Sequence, residues 1–577
     1  MENFRIRLKI YWIILLFVIG TLIASLFYAQ VVMHEKYIVM SEDNRLKIIP
    51  LMAPRGSIYD RNMEPMAKDV LCFDVSVIYS RVKNLDLIVN VLSSILDMSP
   101  DIVSKNLKKS KTRPFTPICV AEDIGLEKAV KIEEITQKYP GMLLEVSAKR
   151  RYFRKKVASN VLGYLGSINR SEFKRLKSYG YKMDDVVGRA GVEKYYDKYL
   201  RGVHGGKQVE VDHRGREAKI LGFKEPAPGR DLYLTIDLSL QEFCDSLLED
   251  RRGSVIVINP ESGALLAMAS APTFDPTIFI NKNLRDERRR VLTDKNYPLL
   301  NRGISGTYPP GSVFKAVVAA AALDTKAISL STSFECNYIF TLGRAKFRCW
   351  RKGGHGPQSV MEALKHSCNI FFFNTGLCLG VDRLSVYAGK FGFGQKTGVD
   401  LPGERSGVLP SREWKKKVIK DKWYKGDTVN FSIGQGYLLC SPLQIARMMC
   451  VFANGGYLVK PYVAEKIGDV EVSDIRREPL NISKEVLMTV KKGLYEVVNG
   501  KHGTGVKAKQ KDVDVSGKTG TAQTSRGKSH GWFAGFAPYE DPKIVVVVFD
   551  EFGGKGGYYA AGTAGKVFKK AKELGII

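Results

Sequence analysis

The sequence predicts an α+β protein with a membrane anchor at its N-terminus. Residues 10–33 carry no charged side chain and are long enough to cross a bilayer of ~30 Å as a helix. Residues 254–269 form two short apolar runs around a turn that contains Pro and Gly, the pattern of a β-hairpin. Three more candidate strands near the C-terminus, 512–523, 531–537 and 544–549, have short connections that favour antiparallel pairing. We therefore expect an antiparallel sheet built from two distant parts of the chain, with a long helical insertion between them.

The length and charge of the chain limit the functions that it can have. Its 577 residues are too many for one compact core and suggest two to four domains. A hydrophobic content of 44% excludes wholesale disorder and a protein with many membrane spans. The net charge of +29 suggests an anionic partner, either nucleic acid, an acidic polymer or a phospholipid surface, or else a solvated basic face. Nine cysteines cannot all pair within one chain, which argues against a disulfide framework.

The residues before the apolar run predict the orientation of the anchor. Arg5, Arg7 and Lys9 favour a cytoplasmic tail over residues 1–9, with the rest of the chain outside a single-pass cytoplasmic (inner) membrane anchor. The alternative is a cleaved signal peptide, but its apolar core of ~7–15 residues would be shorter than 10–33, and no clear cleavage site follows. Export makes nucleic acid an unsuitable partner and directs the basic charge towards wall polymers or lipid headgroups.

The exported part divides into two regions by composition. Residues 34–230 mix short β-like runs with charged helical stretches and contain no catalytic pattern. Pro226 and Pro228 break regular structure and predict a boundary near residue 230. Residues 231–577 begin with the predicted hairpin region and end with the predicted strands and a helix over 561–574.

Ser312 and Lys315 form the first of three chemical motifs. Residues 309–311, Pro-Pro-Gly, interrupt regular structure, and the alanine-rich run 316–323 then favours a helix. A spacing of three residues puts the Ser312 hydroxyl and the Lys315 amine on one helix face. A serine becomes a nucleophile when a neighbour accepts its proton, and a lysine can do so if its pKa is lowered by burial or by a nearby cation.

The second and third motifs lie further along the chain. Ser367 and Asn369 precede an apolar run of phenylalanines, and Lys-Thr-Gly-Thr occupies 518–521 on a predicted strand. Each short pattern also occurs elsewhere, for example at Ser171 and at Lys-Thr-Gly over 396–398, so that only the ordered set is informative. That set is the one found in penicillin-binding proteins and serine β-lactamases.

The chain resembles a class B penicillin-binding protein over nearly its whole length, and most closely the elongation type (the penicillin-binding protein 2 group). The resemblance implies a pedestal (dimerisation-like) domain over 34–230 and a transpeptidase domain over 231–577, with helices flanking the sheet and a helical subdomain. The segments that carry it are residues 55–62, 188–193, 200–202, 350–356, 433–436 and 441–444.

This resemblance implies a peptidoglycan D,D-transpeptidase that cross-links stem peptides through a serine acyl-enzyme during cell elongation and is inhibited by β-lactams. Ser312 would attack the carbonyl of the penultimate D-Ala. Lys315 would be its general base. Ser367 and Asn369 would relay protons and position the peptide.

The resemblance also implies roles for residues of the third motif. Lys518 would maintain a cationic environment, and the hydroxyls of Thr519 and Thr521 would bind the terminal carboxylate. Gly520 would let the substrate approach the strand closely. Backbone N–H groups of Ser312 and Thr521 would form the oxyanion hole.

A cluster of thiols and one imidazole surrounds the second motif in sequence. Three thiolates and one imidazole suit tetrahedral zinc, although the spacing is wider than in a zinc finger. The candidate ligands are Cys336, Cys349, His355 and Cys368, with His366 as a possible substitute. The alternative is a set of buried reduced cysteines with a structural histidine. Some elongation-type relatives are similar in carrying a metal near this motif, which implies structural zinc and no catalytic cofactor.

Several other functions share these motifs. A β-lactamase or D,D-carboxypeptidase would need a positioned water, for which residues 478–481 give only a faint pattern. A division-type transpeptidase and a β-lactam-binding sensor also remain alternatives. Because 34–230 lacks acidic glycosyltransferase motifs, the family implies a polytopic membrane glycosyltransferase as partner, contacted through the anchor and the pedestal.

Overall fold

The computed structural model describes residues 2–38, 46–108, 117–183, 185–211, 217–281, 283–524 and 527–577. The chain folds into two compact units whose segments alternate along the sequence. The first unit contains Met1–Pro54, Val70–Lys149 and Gly202–Gly229. The second unit contains Arg55–Asp69, Arg150–Arg201 and Arg230–Ile577. The second unit thus combines the whole of the predicted 231–577 region with two segments of the region before it.

The first unit begins with the predicted apolar helix. An α-helix over Glu2–Phe27 continues into a π-helical turn over Tyr28–Val32. Within the described part of the chain, Asn3–Val32 is the one helix long and apolar enough to cross a membrane. Its side chains are exposed along almost the whole length, as expected for a helix whose apolar surface is covered by lipid rather than by protein.

The rest of the first unit is a small α+β core. The helix Leu85–Leu96 starts at Asn84, whose side chain accepts a hydrogen bond from the N–H of Leu87. Its apolar face packs with the helices and strands that contribute Val75, Val103, Val120, Ile132 and Met142. The helices and strands of this core are Leu85–Leu96, Pro100–Lys108, Leu126–Thr136 and Ile118–Ala121, with parts of Pro65–Val77 and Met142–Tyr152. A separate antiparallel sheet joins Leu46–Leu51, Gly205–Val211 and Glu217–Lys224.

The second unit is organised around the predicted antiparallel sheet, which among the described residues has five strands. The spatial order of its strands is Leu265–Ala271, Gly253–Ile258, Ile544–Asp550, His530–Ala537 and Ser516–Ala522. The strands come from both ends of the predicted 231–577 region, as the sequence indicated. Ser516–Ala522 lies at one edge and is called the edge strand below.

Alternate residues of this sheet point into two cores. Val546 and Val548 pack with the helices Leu238–Ser246 and Tyr559–Glu573. Val547 and Phe549 of the same strand enter the core that holds the helical insertion. The sheet is therefore buried on both faces, which explains why its central strand is apolar throughout.

The helical insertion packs against the second of these faces. Its alanine-rich helix, Lys315–Asp324, is buried from Lys315 to Ala322, because alanine side chains let neighbouring helices approach closely. The other helices of the insertion are Arg285–Thr293, Val360–Lys365, Asn369–Leu379, Val381–Lys390, Arg412–Trp414, Lys425–Phe431, Pro442–Ala453 and Lys484–Asn499. Short two-stranded ribbons join Phe334–Cys336 with Gly356–Gln358, Ile339–Leu342 with Ala345–Arg348, and Tyr457–Val459 with Arg477–Pro479.

A buried network of charges lies elsewhere in the second unit. Arg55 donates to Glu193 at 2.9 Å and to Asp197 at 2.8 Å. Arg150 donates to Glu193 at 2.8 Å and to Asp69 at 3.3 Å. Burial alone would raise the pKa of the fully buried Glu193, but Arg150 and Arg55 lower it below its ordinary value. Arg55 and Glu193 fall in two of the segments that carry the family resemblance. We call these two residues, with Asp69, Arg150 and Asp197, the arginine–carboxylate network.

Candidate active site

Ser312 lies in a short turn directly before the alanine-rich helix. The sequence predicts it in the first helical turn, whereas the structure has a 3₁₀ turn over Gly311–Phe314 and begins the α-helix at Lys315. Gly311 has a φ of +57°, a left-handed conformation that glycine adopts without strain. Ser312 is partly exposed although its neighbours in the turn are buried, so that its hydroxyl is accessible to a ligand.

The edge strand lies against this turn. A Cβ added to Gly520 would be 2.8 Å from the carbonyl oxygen of Pro310 and 2.9 Å from a methyl group of Val313. Both distances are too short for a side chain, so only glycine fits at this position. The indole N–H of Trp532, on the neighbouring strand, donates to the carbonyl of Pro309 at 3.0 Å. The first and third motifs therefore lie side by side, an arrangement that the family resemblance implied.

Lys315 joins the first motif to the second. Its Nζ donates to the backbone carbonyl of Ser367 at 2.8 Å and to Oδ1 of Asn369 at 2.7 Å, and lies 3.4 Å from the Ser367 hydroxyl. The amine is fully buried, and burial lowers the pKa of Lys315 to about 8, partly opposed by nearby cysteines. Asn369 also donates to the carbonyl of Arg348, which fixes its amide on the ribbon before it.

Ser367 holds an uncommon backbone conformation. Its φ is +53°, in the left-handed region that serine rarely adopts. The residue is buried, and its carbonyl accepts the hydrogen bond from Lys315. A strained residue held in place by its surroundings is typical of functional sites.

Lys518 is a second buried lysine in the same site. Its side chain is buried on the edge strand, where Nζ donates to the carbonyl of Thr519 at 3.2 Å. Burial lowers the pKa of Lys518 well below its ordinary value, and the nearby positive charge of Lys315 lowers it further. Within the described residues, no carboxylate lies within 4.0 Å of either amine. When both amines are protonated, they repel each other with no carboxylate of the described residues in contact.

The hydroxyls of the third motif have partners that the sequence did not single out. Thr519 donates to the hydroxyl of Thr504 at 3.0 Å, and Thr521 accepts from the N–H of Gly556 at 3.3 Å. Thr504 stands between two glycines, a pattern that could have marked it as a loop residue close to a ligand.

The predicted metal ligands come together beside Ser367. The side-chain donor atoms of Cys336, Cys349, His355 and Cys368 all lie within 4.8 Å of one another. Nδ1 of His355 lies 3.4 Å from Sγ of Cys336 and 3.5 Å from Sγ of Cys349. In a tetrahedral zinc site, a sulfur and a nitrogen ligand are roughly 3.5 Å apart, because the metal bonds are about 2.3 and 2.0 Å long.

One thiol of this cluster ionises readily. A hydrogen bond from Cys368 lowers the pKa of Cys349, whereas burial raises the pKa of Cys336 and the hydrogen bond with Cys349 raises that of Cys368. Metal binding would release the remaining thiol protons. The substitute ligand His366 stacks on His355 with ring centroids 5.7 Å apart, and its Nδ1 lies 3.1 Å from the Gln358 amide. His366 is not among the four clustered ligands.

Comparison with known proteins identifies the family. The penicillin-binding protein transpeptidase domain matches residues 253–573, and the penicillin-binding protein dimerisation domain matches 50–234. The peptidoglycan D,D-transpeptidase MrdA of Escherichia coli K12 is 33% identical over 570 residues, which covers 94% of this chain and 90% of the relative. The chain belongs to the class B penicillin-binding proteins of the elongation type. It is therefore a peptidoglycan D,D-transpeptidase of the serine type, and its transpeptidase domain needs no catalytic cofactor.

Solved structures of class B penicillin-binding proteins agree with this assignment. A complex between penicillin-binding protein PBP2 and MreC from Helicobacter pylori contains a chain with 31% identity and a TM-score of 0.80, covering 92% of this chain and 99% of that one. A chain from a solved structure on the structural coordination of polymerization and crosslinking by a peptidoglycan synthase complex has 31% identity and a TM-score of 0.78. The match covers 99% of this chain and 98% of that one.

Proposed function

We propose that Ser312 is the nucleophile of the transpeptidase and that Lys315 is its general base. The observation that carries this assignment is the environment of the Lys315 amine. A neutral amine has two N–H donors and one lone pair. The carbonyl of Ser367 and Oδ1 of Asn369 accept two hydrogen bonds from Nζ. The lone pair of the neutral amine would then accept a hydroxyl proton, from Ser312 in the proposed step or through the Ser367 hydroxyl, which lies 3.4 Å away. The lowering of the Lys315 pKa to about 8 raises the fraction of this amine that is neutral near neutral pH.

The proposed reaction has two acyl transfers. Ser312 Oγ attacks the carbonyl of the penultimate D-Ala of a stem peptide, and its proton passes to Lys315. The C–N bond to the terminal D-Ala breaks, and that D-Ala leaves with the proton, relayed by Ser367. The amine of a neighbouring stem peptide then attacks the ester. Its proton passes through the same groups to Ser312 Oγ, which leaves as the free hydroxyl while the cross-link forms.

The edge strand would hold the substrate. The N–H groups of Ser312 and Thr521 would bind the oxyanion, and loss of one such donor typically costs ~3–4 kcal/mol of transition-state stabilisation. The hydroxyls of Thr519 and Thr521 would bind the terminal carboxylate, next to the positive charge of Lys518. Gly520 keeps the strand free of a side chain at the point where it meets the turn of Ser312.

A β-lactam would acylate the same serine, which gives the test. Fluorescent penicillin should label the full-length protein covalently, and mass mapping should place the adduct on the peptide that contains Ser312. Ser312→Ala should abolish labelling. Ser171→Ala is a matched control, because Ser171 stands in another Ser-x-x-Lys pattern but is exposed on a helix of the second unit. Labelling that persists in Ser312→Ala would contradict the assignment.

We also propose that Cys336, Cys349, His355 and Cys368 bind one structural zinc. All four positions would be filled by protein, so that the metal would hold the ribbon around Cys349 against the start of the helix Asn369–Leu379. The N–H of Asn369 already donates to Sγ of Cys349 at 3.4 Å, which couples the cluster to the second motif.

Metal analysis tests the zinc site. The purified protein should contain about one zinc per chain, and Cys349→Ser should lose most of it, because three ligands bind zinc far more weakly than four. Cys378→Ser, which removes an exposed thiol outside the cluster, should keep the metal. A folded wild-type protein that contains no metal after expression with zinc would refute the site.

We further propose a division of the chain into a cytoplasmic tail (1–9), an inner-membrane anchor (10–33), a pedestal (34–230) and an extracytoplasmic transpeptidase domain (231–577). The basic residues before the anchor support this orientation. Its partner would be a polytopic glycosyltransferase of the elongation machinery, bound through the anchor and the pedestal. A protease added to intact spheroplasts should remove the transpeptidase domain, and protection of that domain would contradict the orientation.

A further inference from the structure

Two adjoining cavities of the second unit lie outside the catalytic motifs. Their volumes are about 480 and 320 Å³, and both are lined by Arg447, Leu458 and Glu478. Volumes of about 300–1,000 Å³ are typical of sites for small ligands. We call the two cavities together the Arg447 groove.

Arg447 is a buried cation without a counterion in contact. It is 8% exposed on the helix Pro442–Ala453, and its Nε donates to the carbonyl of Val459 at 2.7 Å. No carboxylate of the described residues lies within 4.0 Å of its guanidinium. Burial lowers the pKa of Arg447, and the more distant charges of Glu478 and Glu404 oppose that shift. Removing one partner from a buried charge is costly, so an unpaired guanidinium that lines a cavity suggests a ligand with an opposite charge.

The second Lys-Thr-Gly pattern of the sequence lines the same groove. Thr397 donates through its N–H and its hydroxyl to Glu404, and the N–H of Gly398 donates to the other oxygen of that carboxylate. These donors are therefore occupied by an internal anion and are not a second catalytic strand. Lys396 remains exposed at the rim, close to the exposed Lys390.

The charge of the groove is positive after its internal ion pairs are accounted for. Asp474 pairs with Lys460 at 2.6 Å and with Arg476 at 2.7 Å, so these two cations share one carboxylate. The cations that line the larger cavity, Lys390, Lys396 and Arg447, face the single carboxylate of Glu478. An anionic group would gain charge-assisted hydrogen bonds here.

The rest of the lining favours a peptide over a simple anion. Leu458, Pro479 and Leu480 give the larger cavity an apolar wall, and the amides of Gln395 and Asn481 also line it. A mixture of apolar surface, amides and a guanidinium matches the side chains, the backbone and the carboxylate of a short acidic peptide. A guanidinium also binds a carboxylate with two parallel hydrogen bonds, which gives a defined orientation.

We propose that the Arg447 groove binds a short acidic peptide, whose carboxylate pairs with the guanidinium of Arg447 while Lys390 and Lys396 attract it at the rim. This site is separate from the acyl-transfer site and does not depend on the roles assigned there. It gives part of the basic charge of the chain a defined ligand.

Isothermal titration of the full-length protein in neutral detergent tests the proposal. The probe is N-acetyl-Ala-Ala-Glu with free carboxylates, compared with N-acetyl-Ala-Ala-Gln amide and with glycerol phosphate. Arg447→Gln should weaken binding of the acidic probe at least tenfold. Because a substitution at the buried Arg447 can disrupt folding, Lys390→Gln/Lys396→Gln provides a second test at exposed positions, with at least a threefold loss expected. Circular dichroism checks the fold of each variant.

Lys416→Gln/Lys417→Gln is the matched control, since it removes the same charge from exposed lysines outside the groove. It should change the affinity by less than twofold. An equal loss in this control would show that the probe responds to overall charge and would overturn the proposal. So would no binding of the acidic probe at millimolar concentration, equally tight binding of the uncharged amide, or tighter binding of glycerol phosphate, which would assign the groove to a phosphate polymer instead.

Discussion

The second unit buries two groups of cations in opposite ways. In the arginine–carboxylate network, Arg55 and Arg150 both contact Glu193, and Asp197 and Asp69 accept further hydrogen bonds. In the catalytic site, Lys315 and Lys518 are fully buried but have neutral acceptors only. The arginines of the network are therefore paired with carboxylates, whereas the lysines of the catalytic site are not.

The difference shows how one fold keeps some charges inert and makes others reactive. Burial would lower the pKa of Arg55, but Glu193 and Asp197 raise it above its ordinary value, so that the charge is permanent. Burial of Lys315 is opposed only in part by nearby cysteines and by no carboxylate, and its pKa falls to about 8. A general base works best when its pKa lies near the operating pH. The absence of a carboxylate beside Lys315, within the described residues, is therefore part of the chemistry of the site.

The largest effect should come from removing the uncompensated base. Lys315→Ala should lower the rate of acylation by fluorescent penicillin by about 10²–10⁴-fold, the usual contribution of a general base. The free energy of unfolding should stay the same or rise, because an unpaired buried cation is lost. Stopped-time labelling and urea denaturation measure the two quantities. An acylation rate within tenfold of wild type would remove Lys315 from the proposed role.

The opposite result is expected in the network. Glu193→Gln leaves Arg55 and Arg150 without their shared carboxylate and should lower the free energy of unfolding by about 3–5 kcal/mol. Folded protein should still be acylated at the wild-type rate. Urea denaturation combined with penicillin labelling separates stability from activity. A loss of acylation with unchanged stability would mean that the network serves the reaction rather than the fold.

The smallest expected effect concerns the buried carboxylate of Asp245. Asp245 accepts hydrogen bonds from the N–H of Ala158 and the amide of Gln241, yet burial raises its pKa to about 7. Because the folded pKa is above the unfolded value, its stabilising contribution is complete below about pH 4 and is lost as the pH rises through about 7.

Asp245→Asn should therefore reduce the fall in unfolding free energy between pH 6 and 8, a difference measurable from melting temperatures. Glu242→Gln, which changes a neighbouring carboxylate on the same helix, should reduce it less. If wild type and Asp245→Asn lose stability in parallel over this range, Asp245 does not titrate as described.

Much of this architecture follows from local sequence. The strands of the central sheet, the alanine-rich helix and the order of the motifs are set by apolar runs and turn residues, and these predictions are confirmed. The ends of elements are less predictable: the strand expected over 512–523 covers only Ser516–Ala522, and the turn of Ser312 is 3₁₀ rather than α. Such ends depend on packing that periodicity does not contain.

The candidate site, too, could be predicted only in part from the sequence. The family resemblance implied that Ser312, Ser367 and Lys518 lie together. In the structure, glycine contacts and the hydrogen bonds of Lys315 bring their segments together. Thr504 and the left-handed Ser367 were not predicted, because each depends on contacts with residues distant in sequence. The Arg447 groove was not predicted, although the repeated Lys-Thr-Gly pattern over 396–398 and the faint pattern over 478–481 both line it.

The central sheet also determines when the enzyme can become active. Its hairpin is complete at Ala271, but the edge strand beside Ser312 begins only at Ser516. Pairings across such a separation form slowly, because a long loop must close before any contact is gained. A nascent chain can thus carry Ser312 and Lys315 for more than a third of its length without a functioning site. The chain can therefore cross-link peptidoglycan only after its last strands have been synthesised and have joined the sheet.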